Sequence, residues 1–136
     1  EAANVAQASE FIEKLDNKYN SLVARSGTNL SVVQKQRLSI ARAIARNPEI
    51  YIFDDSFSAL DYKTDYTLRS ELKKYTKFAT VLIVAQRIGT ILNADKIVVL
   101  DNGKCVGIGT HKELLKSCEV YKEIALSQLN EDELNA

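Results

Sequence analysis

The sequence predicts an α/β fold in which a mostly parallel sheet is flanked by helices and followed by a C-terminal β-hairpin and further helices. Two short apolar runs, residues 50–53 and 81–85, have the length and β-branched content of parallel strands, and a helical pattern at residues 62–75 separates them. Two later runs, residues 96–100 and 105–108, are joined by an Asn-Gly pair typical of a tight hairpin. We expect the first of these strands to be buried on both faces and the second to be buried as well.

Length and composition allow one domain with its own core, since 46% of the 136 residues are apolar. The 18 Lys and Arg residues balance 18 Asp and Glu residues, so we expect no nucleic-acid partner. No apolar run approaches the roughly 20 residues that span a bilayer. Cys105 and Cys118 match no metal-binding spacing and are predicted to be free thiols. The chain contains no methionine, even at position 1, so we expect this chain to be part of a longer polypeptide.

The N-terminal stretch is predicted to contain one amphipathic helix and one loop. Apolar side chains recur at helical spacing between residues 3 and 15, namely Val5, Ala8, Phe11, Ile12 and Leu15. Residues 16–29 are polar and contain Gly27, which favours a loop.

A helix is predicted to follow this loop. Ser31 and Gln34 have the spacing of a capping box, so Ser31 should be the N-cap, and Asn47-Pro48 should end the helix. Lys35, Gln36, Arg42 and Arg46 are predicted to face outward. Free N–H groups and the positive end of the helix dipole could bind phosphate here, but the residues alone fit an ordinary capped helix equally well.

Two adjacent carboxylates, Asp54 and Asp55, follow the first predicted strand. Ligands bind at the carboxyl edge of open α/β sheets. Acids there can hold hydrated Mg²⁺ beside a phosphate chain. A Mg²⁺-dependent phosphoacceptor domain is a second interpretation of these acids.

The order of these segments resembles the ATP-binding-cassette (ABC) ATPases of exporter type. Residues 30–34, Leu-Ser-Val-Val-Gln, match the family signature Leu-Ser-Gly-Gly-Gln, the strand ending at Asp54 matches Walker B, and Ser-Ala-Leu-Asp at 58–61 matches the D-loop. The resemblance implies a partial P-loop NTPase-like fold.

The resemblance also implies a division of the chain. Residues 1–128 would be the C-terminal part of a nucleotide-binding domain, and residues 129–136 an acidic tail. Within that part, residues 1–30 would end the helical subdomain, and residues 31–128 would hold the signature helix, Walker B strand and switch core.

The resemblance assigns roles to individual residues and names partners. Asp54 would hold Mg²⁺ through water, and Asp55 would contact the attacking water. Gln86 would touch the γ-phosphate. Ser31 and Gln34 would face a partner's ATP, and Asp61 would lie at the dimer seam. The implied cofactors are ATP and Mg²⁺. The implied partners are a second nucleotide-binding domain, paired head-to-tail, and a transmembrane domain, at the cytoplasmic face of the cell membrane.

Several positions depart from the family pattern. Asp55 replaces the glutamate of hydrolytic members, Gln86 replaces their switch histidine, and Val32 and Val33 replace two glycines. The 136-residue sequence contains no Gly-x-x-x-x-Gly-Lys-Ser/Thr phosphate loop. The chain alone is therefore predicted not to hydrolyse ATP. The pattern resembles the degenerate half of a heterodimeric exporter. The alternative is a catalytically silent interaction or regulatory module.

A last helical region follows the hairpin. Thr110 and Glu113 have the spacing of another capping box, so a helix should begin near His111. His111, the sole histidine, is predicted to be a surface residue and not a catalyst. Helical structure is expected to continue through residues 120–129.

Overall fold

The structure, a computed structural model, describes residues 1–130. The chain forms two units: the first is Glu1–Val84, and the second begins at Ala85. The acidic residues of the predicted tail, 131–133, lie outside the described residues. The predicted subdivision at residue 30 stays a prediction.

The first unit combines helices with a pair of strands. Its elements are α1 (Ala2–Val5), α2 (Ser9–Ile12), α3 (Val32–Ala45), β1 (Ile50–Asp54), α4 (Tyr62–Tyr75) and β2 (Thr80–Val84). Two 3-10 turns, Lys18–Asn20 and Arg25–Gly27, lie within the predicted loop. The helix predicted for residues 62–75 is therefore confirmed.

Strands β1 and β2 pair in parallel over their whole lengths, as predicted. The prediction that β1 is buried on both faces, with β2 buried as well, is wrong. Tyr51 and Phe53 are buried, whereas Ile50 and Ile52 are 62% and 66% exposed. Because side chains alternate across a strand, and the core of this unit lies on one face of the pair, only every second side chain is covered. An apolar run by itself does not indicate how many faces are covered.

The core of the first unit lies between this covered face, α3 and α4. Tyr51 stacks on Phe53 with ring centroids 5.9 Å apart. Fully buried Ile44 of α3 and Leu68 of α4 belong to the same cluster. The cluster therefore holds α3 and α4 against the covered face of β1.

The single helix predicted between residues 3 and 15 is wrong, because α1 and α2 are separate. Gln7 between them has a φ of 56°, in the left-handed region. The N–H of Ala8 donates to the carbonyl of Ala3 at 2.7 Å, five residues back. Ala6 and Ala8 are completely buried. The break thus brings two small side chains into the core, and helical spacing alone does not reveal it.

The second unit contains the predicted hairpin. Its elements are α5 (Ile88–Ile91), β3 (Ile97–Asp101), β4 (Lys104–Gly109), α6 (His111–Ser117) and α7 (Glu119–Gln128). Strands β3 and β4 are antiparallel. Asn102 and Gly103 have φ values of 47° and 75°, which a two-residue type I′ turn requires. The hairpin is confirmed, while the short α5 was not predicted.

His111 is buried inside the second unit, so its predicted surface position is wrong. It is 4% exposed, and its Nδ1 lies 2.8 Å from the hydroxyl of Tyr121. Burial raises the pKa of Tyr121. The predicted Thr110–Glu113 capping box is present. The cap fixes where α6 begins, but packing against α7 decides which way its first side chain points.

Candidate functional site

Helix α3 begins with the predicted capping box. Ser31 Oγ accepts from the Gln34 N–H at 3.2 Å, and Gln34 Oε1 accepts from the Ser31 N–H at 2.9 Å. Both side chains therefore satisfy backbone groups of their own helix terminus. Their predicted contact with a partner's ATP stays a prediction.

The two valines after Ser31 have different surroundings. Val32 is 65% exposed, whereas Val33 is partly buried and packs against the core of the first unit. A branched side chain therefore projects from the first turn of α3 at Val32 only. Replacing Val33 would disturb packing, whereas replacing Val32 would chiefly change the surface of the helix terminus.

Asp54 and Asp55 lie at the carboxyl end of β1, as predicted, and both are exposed. The N–H of Asp55 donates to the carbonyl of Val84 at 3.0 Å. Asp55 has a φ of 46°, and its Oδ2 accepts from Ser58 Oγ at 3.1 Å. The second acid is thus held in a left-handed turn by the segment that follows it.

Gln36 joins α3 to this turn, and the sequence analysis missed that role. Its Oε1 accepts from the Ala59 N–H at 3.2 Å, and its Nε2 donates to the Asp55 carbonyl and to Ser58 Oγ, each at 3.4 Å. Gln36 is half-buried, so the prediction that it faces outward is wrong. The side chain bridges 19 to 23 residues of sequence, and no local pattern encodes such a contact.

Asp61 is the N-cap of α4. Its Oδ1 accepts from the Thr64 N–H at 3.0 Å, and its Oδ2 accepts from Thr64 Oγ1 at 2.7 Å. These bonds, from the Thr64 side chain first and then its backbone, lower the pKa of Asp61. An acid directly before a helical pattern is a recognisable N-cap signal, so this role could have been predicted. Its place at a dimer seam stays a prediction.

Arg37 connects α3 with both neighbouring helical segments. Its Nη1 donates to the Gln7 carbonyl at 3.1 Å and its Nη2 to Thr64 Oγ1 at 3.4 Å. The charge of Arg37 contributes to the lowered pKa of Asp61. Gln36 therefore bonds the Asp55–Ala59 segment, whereas Arg37 bonds Thr64, the capping partner of Asp61.

Gln86 belongs to the second unit and is exposed. Its carbonyl accepts from Gln128 Nε2 at 3.0 Å, while Gln128 Oε1 accepts from the Ile88 N–H at 2.9 Å. The end of α7 thus holds the backbone on both sides of Arg87. The structure brings the predicted residues Ser31, Gln34, Asp54, Asp55 and Asp61 into one unit, and Gln86 is described within the other.

The carboxylates at the end of β1 do not form a complete metal site by themselves. Residues 1–130 contain no group of three or more His, Cys, Asp and Glu side chains that could hold a metal ion. Mg²⁺ commonly takes only one or two protein carboxylates and completes its shell with water and substrate phosphates. Asp54, exposed at a strand end, fits that limited role.

Comparison with known proteins points to one family. The sequence profile of the ABC transporter family matches residues 2–58. An uncharacterized ABC transporter ATP-binding protein of Mycobacterium tuberculosis is 47% identical over 128 residues, which make up 94% of this chain and 22% of the relative. The alpha-hemolysin translocation ATP-binding protein HlyB of Escherichia coli is 46% identical over 118 residues, 87% of this chain and 17% of HlyB.

A solved structure has a similar fold. A bacterial Atm1-family ABC exporter with ATP bound matches 96% of this chain and 23% of its own, with a TM-score of 0.88 and 35% identity. The chain spans about a fifth of the length of the curated relatives it matches. No helix within residues 1–130 has the length and apolar character needed to cross a membrane.

Fold and site together define a mixed α/β domain of the ABC ATPase type. Over most of its length the chain is similar to the ATP-binding domains of ABC transporters, among them exporters. The family predicted from the signature, Walker B and D-loop segments is confirmed.

Proposed function

We propose that this chain is the C-terminal part of an ABC exporter's nucleotide-binding domain, and that its own catalytic site is degenerate. ATP binding and hydrolysis would be coupled to transport through a transmembrane domain at the cytoplasmic face of the cell membrane. The observation that carries the proposal is the turn after β1, where Asp55 occupies the position of the catalytic glutamate and is engaged by Ser58.

The chemistry of this turn supports binding more than hydrolysis. ATP with Mg²⁺ would supply the phosphates and the metal charge, with Asp54 holding the metal through water. Asp55 is one methylene shorter than glutamate, so its oxygen would fall short of the attacking water by roughly an ångström. Loss of a well-placed general base costs about 10²–10⁴-fold in rate.

Gln86 is a second departure from the hydrolytic members, at the position of their switch histidine. A glutamine side chain can donate a hydrogen bond to the γ-phosphate, but it cannot take up a proton or carry a positive charge as histidine does. Asp55 and Gln86 together would therefore leave ATP bound but slowly hydrolysed.

The start of α3 would serve a second, partner-supplied ATP in a head-to-tail dimer. Backbone N–H groups at a helix N-terminus attract phosphate, but the exposed Val32 side chain projects beside them. Ser31 and Gln34 already bond to each other's backbone. We infer that this end of α3 is a weak γ-phosphate clamp.

Restoring the glycines tests this inference in the assembled transporter. Val32→Gly combined with Val33→Gly should raise ATP turnover about tenfold or more, because a preorganised N–H donor facing developing charge is worth about 10²–10³-fold. Val33→Gly alone is the control, since it loses core packing without opening the surface. No gain in the double variant, in protein that remains folded, would contradict the inference.

The alternative is a catalytically silent interaction module, which the exposed Val32 also favours. Such a module would bind a nucleotide-binding domain equally well with and without ATP. Equal affinity under both conditions, measured by titration, would establish it and remove the coupling role.

A further inference from the structure

Gln36 provides three hydrogen bonds between α3 and the segment from Asp55 to Ala59. The accepting bond from the Ala59 N–H is the shortest, at 3.2 Å, and the two donating bonds are both 3.4 Å long. The amide is satisfied on both its oxygen and its nitrogen, so its orientation is fixed.

The segment that Gln36 holds has no regular secondary structure between β1 and α4. Asp55 is in the left-handed region, and Ser58 Oγ donates locally to the Asp55 carbonyl at 3.2 Å. Phe57 and Leu60 on this side of α4 are buried in the core of the first unit. Ala59, which lies between them in sequence, is tied to α3 by its bond to Gln36.

We propose that Gln36 is a positioning residue that couples the N-terminal end of α3 to the Asp55–Ala59 segment. This inference rests on the proposed function, in which Ser31 faces the partner's ATP and Asp55 faces the chain's own. Gln36 lies five residues after Ser31 on the same helix, so a shift of α3 moves the amide with it. The amide then carries the Asp55 carbonyl and the Ala59 N–H along.

Gln36 is thus the link between two nucleotide sites within one chain. It touches neither ATP, and its effect runs through the backbone of Asp55 and Ala59. A purely structural residue would change stability alone. A positioning residue also changes turnover without changing substrate affinity.

The first arm of the test is hydrogen exchange in the intact protein. Gln36→Leu removes all three bonds, and the Ala59 amide should exchange about two- to tenfold faster, the factor that corresponds to one lost hydrogen bond. Gln36→Glu keeps an acceptor oxygen, so Ala59 should stay protected. Ser39→Ala, on an exposed position of the same helix, is the control and should change nothing. Equal exchange of Ala59 in wild type and Gln36→Leu would overturn the proposal.

The second arm is steady-state ATP turnover of the assembled transporter. Gln36→Leu should lower kcat about tenfold, with KM within about twofold, because the start of α3, which serves the partner's ATP, would lose its tie to the Asp55–Ala59 segment and small misplacements reduce rate strongly. Gln36→Glu should also lower kcat, since it loses the donor to the Asp55 carbonyl while Ala59 remains protected.

The two arms separate this proposal from the proposed function. Unchanged kcat in Gln36→Leu, with normal wild-type turnover, would overturn the coupling role alone. Absence of ATP turnover in the assembled wild-type protein would overturn the proposed function and the coupling role with it, whatever the exchange of Ala59.

Discussion

Replacing Tyr121 by phenylalanine should destabilise the second unit through His111. The two side chains are 2% and 4% exposed, and the tyrosine hydroxyl lies 2.8 Å from Nδ1. The other ring nitrogen, Nε2, is buried and has no hydrogen-bond partner within the described residues. Tyr121→Phe would therefore leave neither nitrogen of a buried imidazole with a partner.

The expected cost is about 1–3 kcal/mol, the penalty for leaving a buried polar group unsatisfied. Native-state hydrogen exchange of α6 and α7 amides measures it locally, and their opening equilibrium should rise about 5- to 150-fold. Tyr66→Phe is the matched control, because Tyr66 is 64% exposed and its hydroxyl can bond water. If both substitutions cost the same, the buried His111–Tyr121 bond contributes nothing and the reasoning fails.

Two further predictions concern packing and pH. Gly107→Ala should lower the free energy of unfolding by about 1–3 kcal/mol through overpacking, because the new Cβ would lie 2.9 Å from Cys118 Sγ. Gly89→Ala is the control, since nothing lies within 4 Å of its Cβ, and it should be neutral or slightly stabilising. Thermal unfolding measures both. Asp61 has a lowered pKa because of Thr64, so its cap stabilises above the ordinary Asp pKa of about 3.9 and is lost as pH falls through the lower folded value. Asp61→Asn should keep the cap at pH 7 and flatten the acid loss of stability in urea titrations, and an unchanged acid slope would contradict this.

Local signals in the sequence predicted much of the fold. Both capping boxes, the Asn-Gly hairpin and the bounds of α4 are encoded by residues within four positions of each other. The order of these segments then indicated the family, although the capped helix start and the acids at the strand end each have another interpretation when taken alone.

Features that depend on distant contacts could not be predicted in the same way. Burial of only one face of β1 depends on what the rest of the chain covers. The break at Gln7 depends on the small side chains of Ala6 and Ala8 entering the core. His111 was assigned to the surface because its helix start was recognised and its packing against Tyr121 was not.

The residues of the candidate site differ in the same way, because some have a local signal in the sequence and others depend on distant contacts. Asp54 and Asp55 were found because they follow an apolar run directly. Gln36 was missed because its partners lie 19 to 23 residues away, and its neighbours on α3 are basic or polar. Asp61 was recognised by family position alone, although its capping role had a local signal.

The most direct test of the degenerate site is the chemical state of nucleotide retained by the assembled transporter after turnover. With labelled ATP and Mg²⁺, a share of the retained nucleotide in the wild-type protein should remain intact ATP. Asp55→Glu combined with Gln86→His should convert that share to ADP, because the rate gain from a well-placed base is about 10²–10⁴-fold. If the wild-type protein retained ADP and no intact ATP, that result would contradict the account.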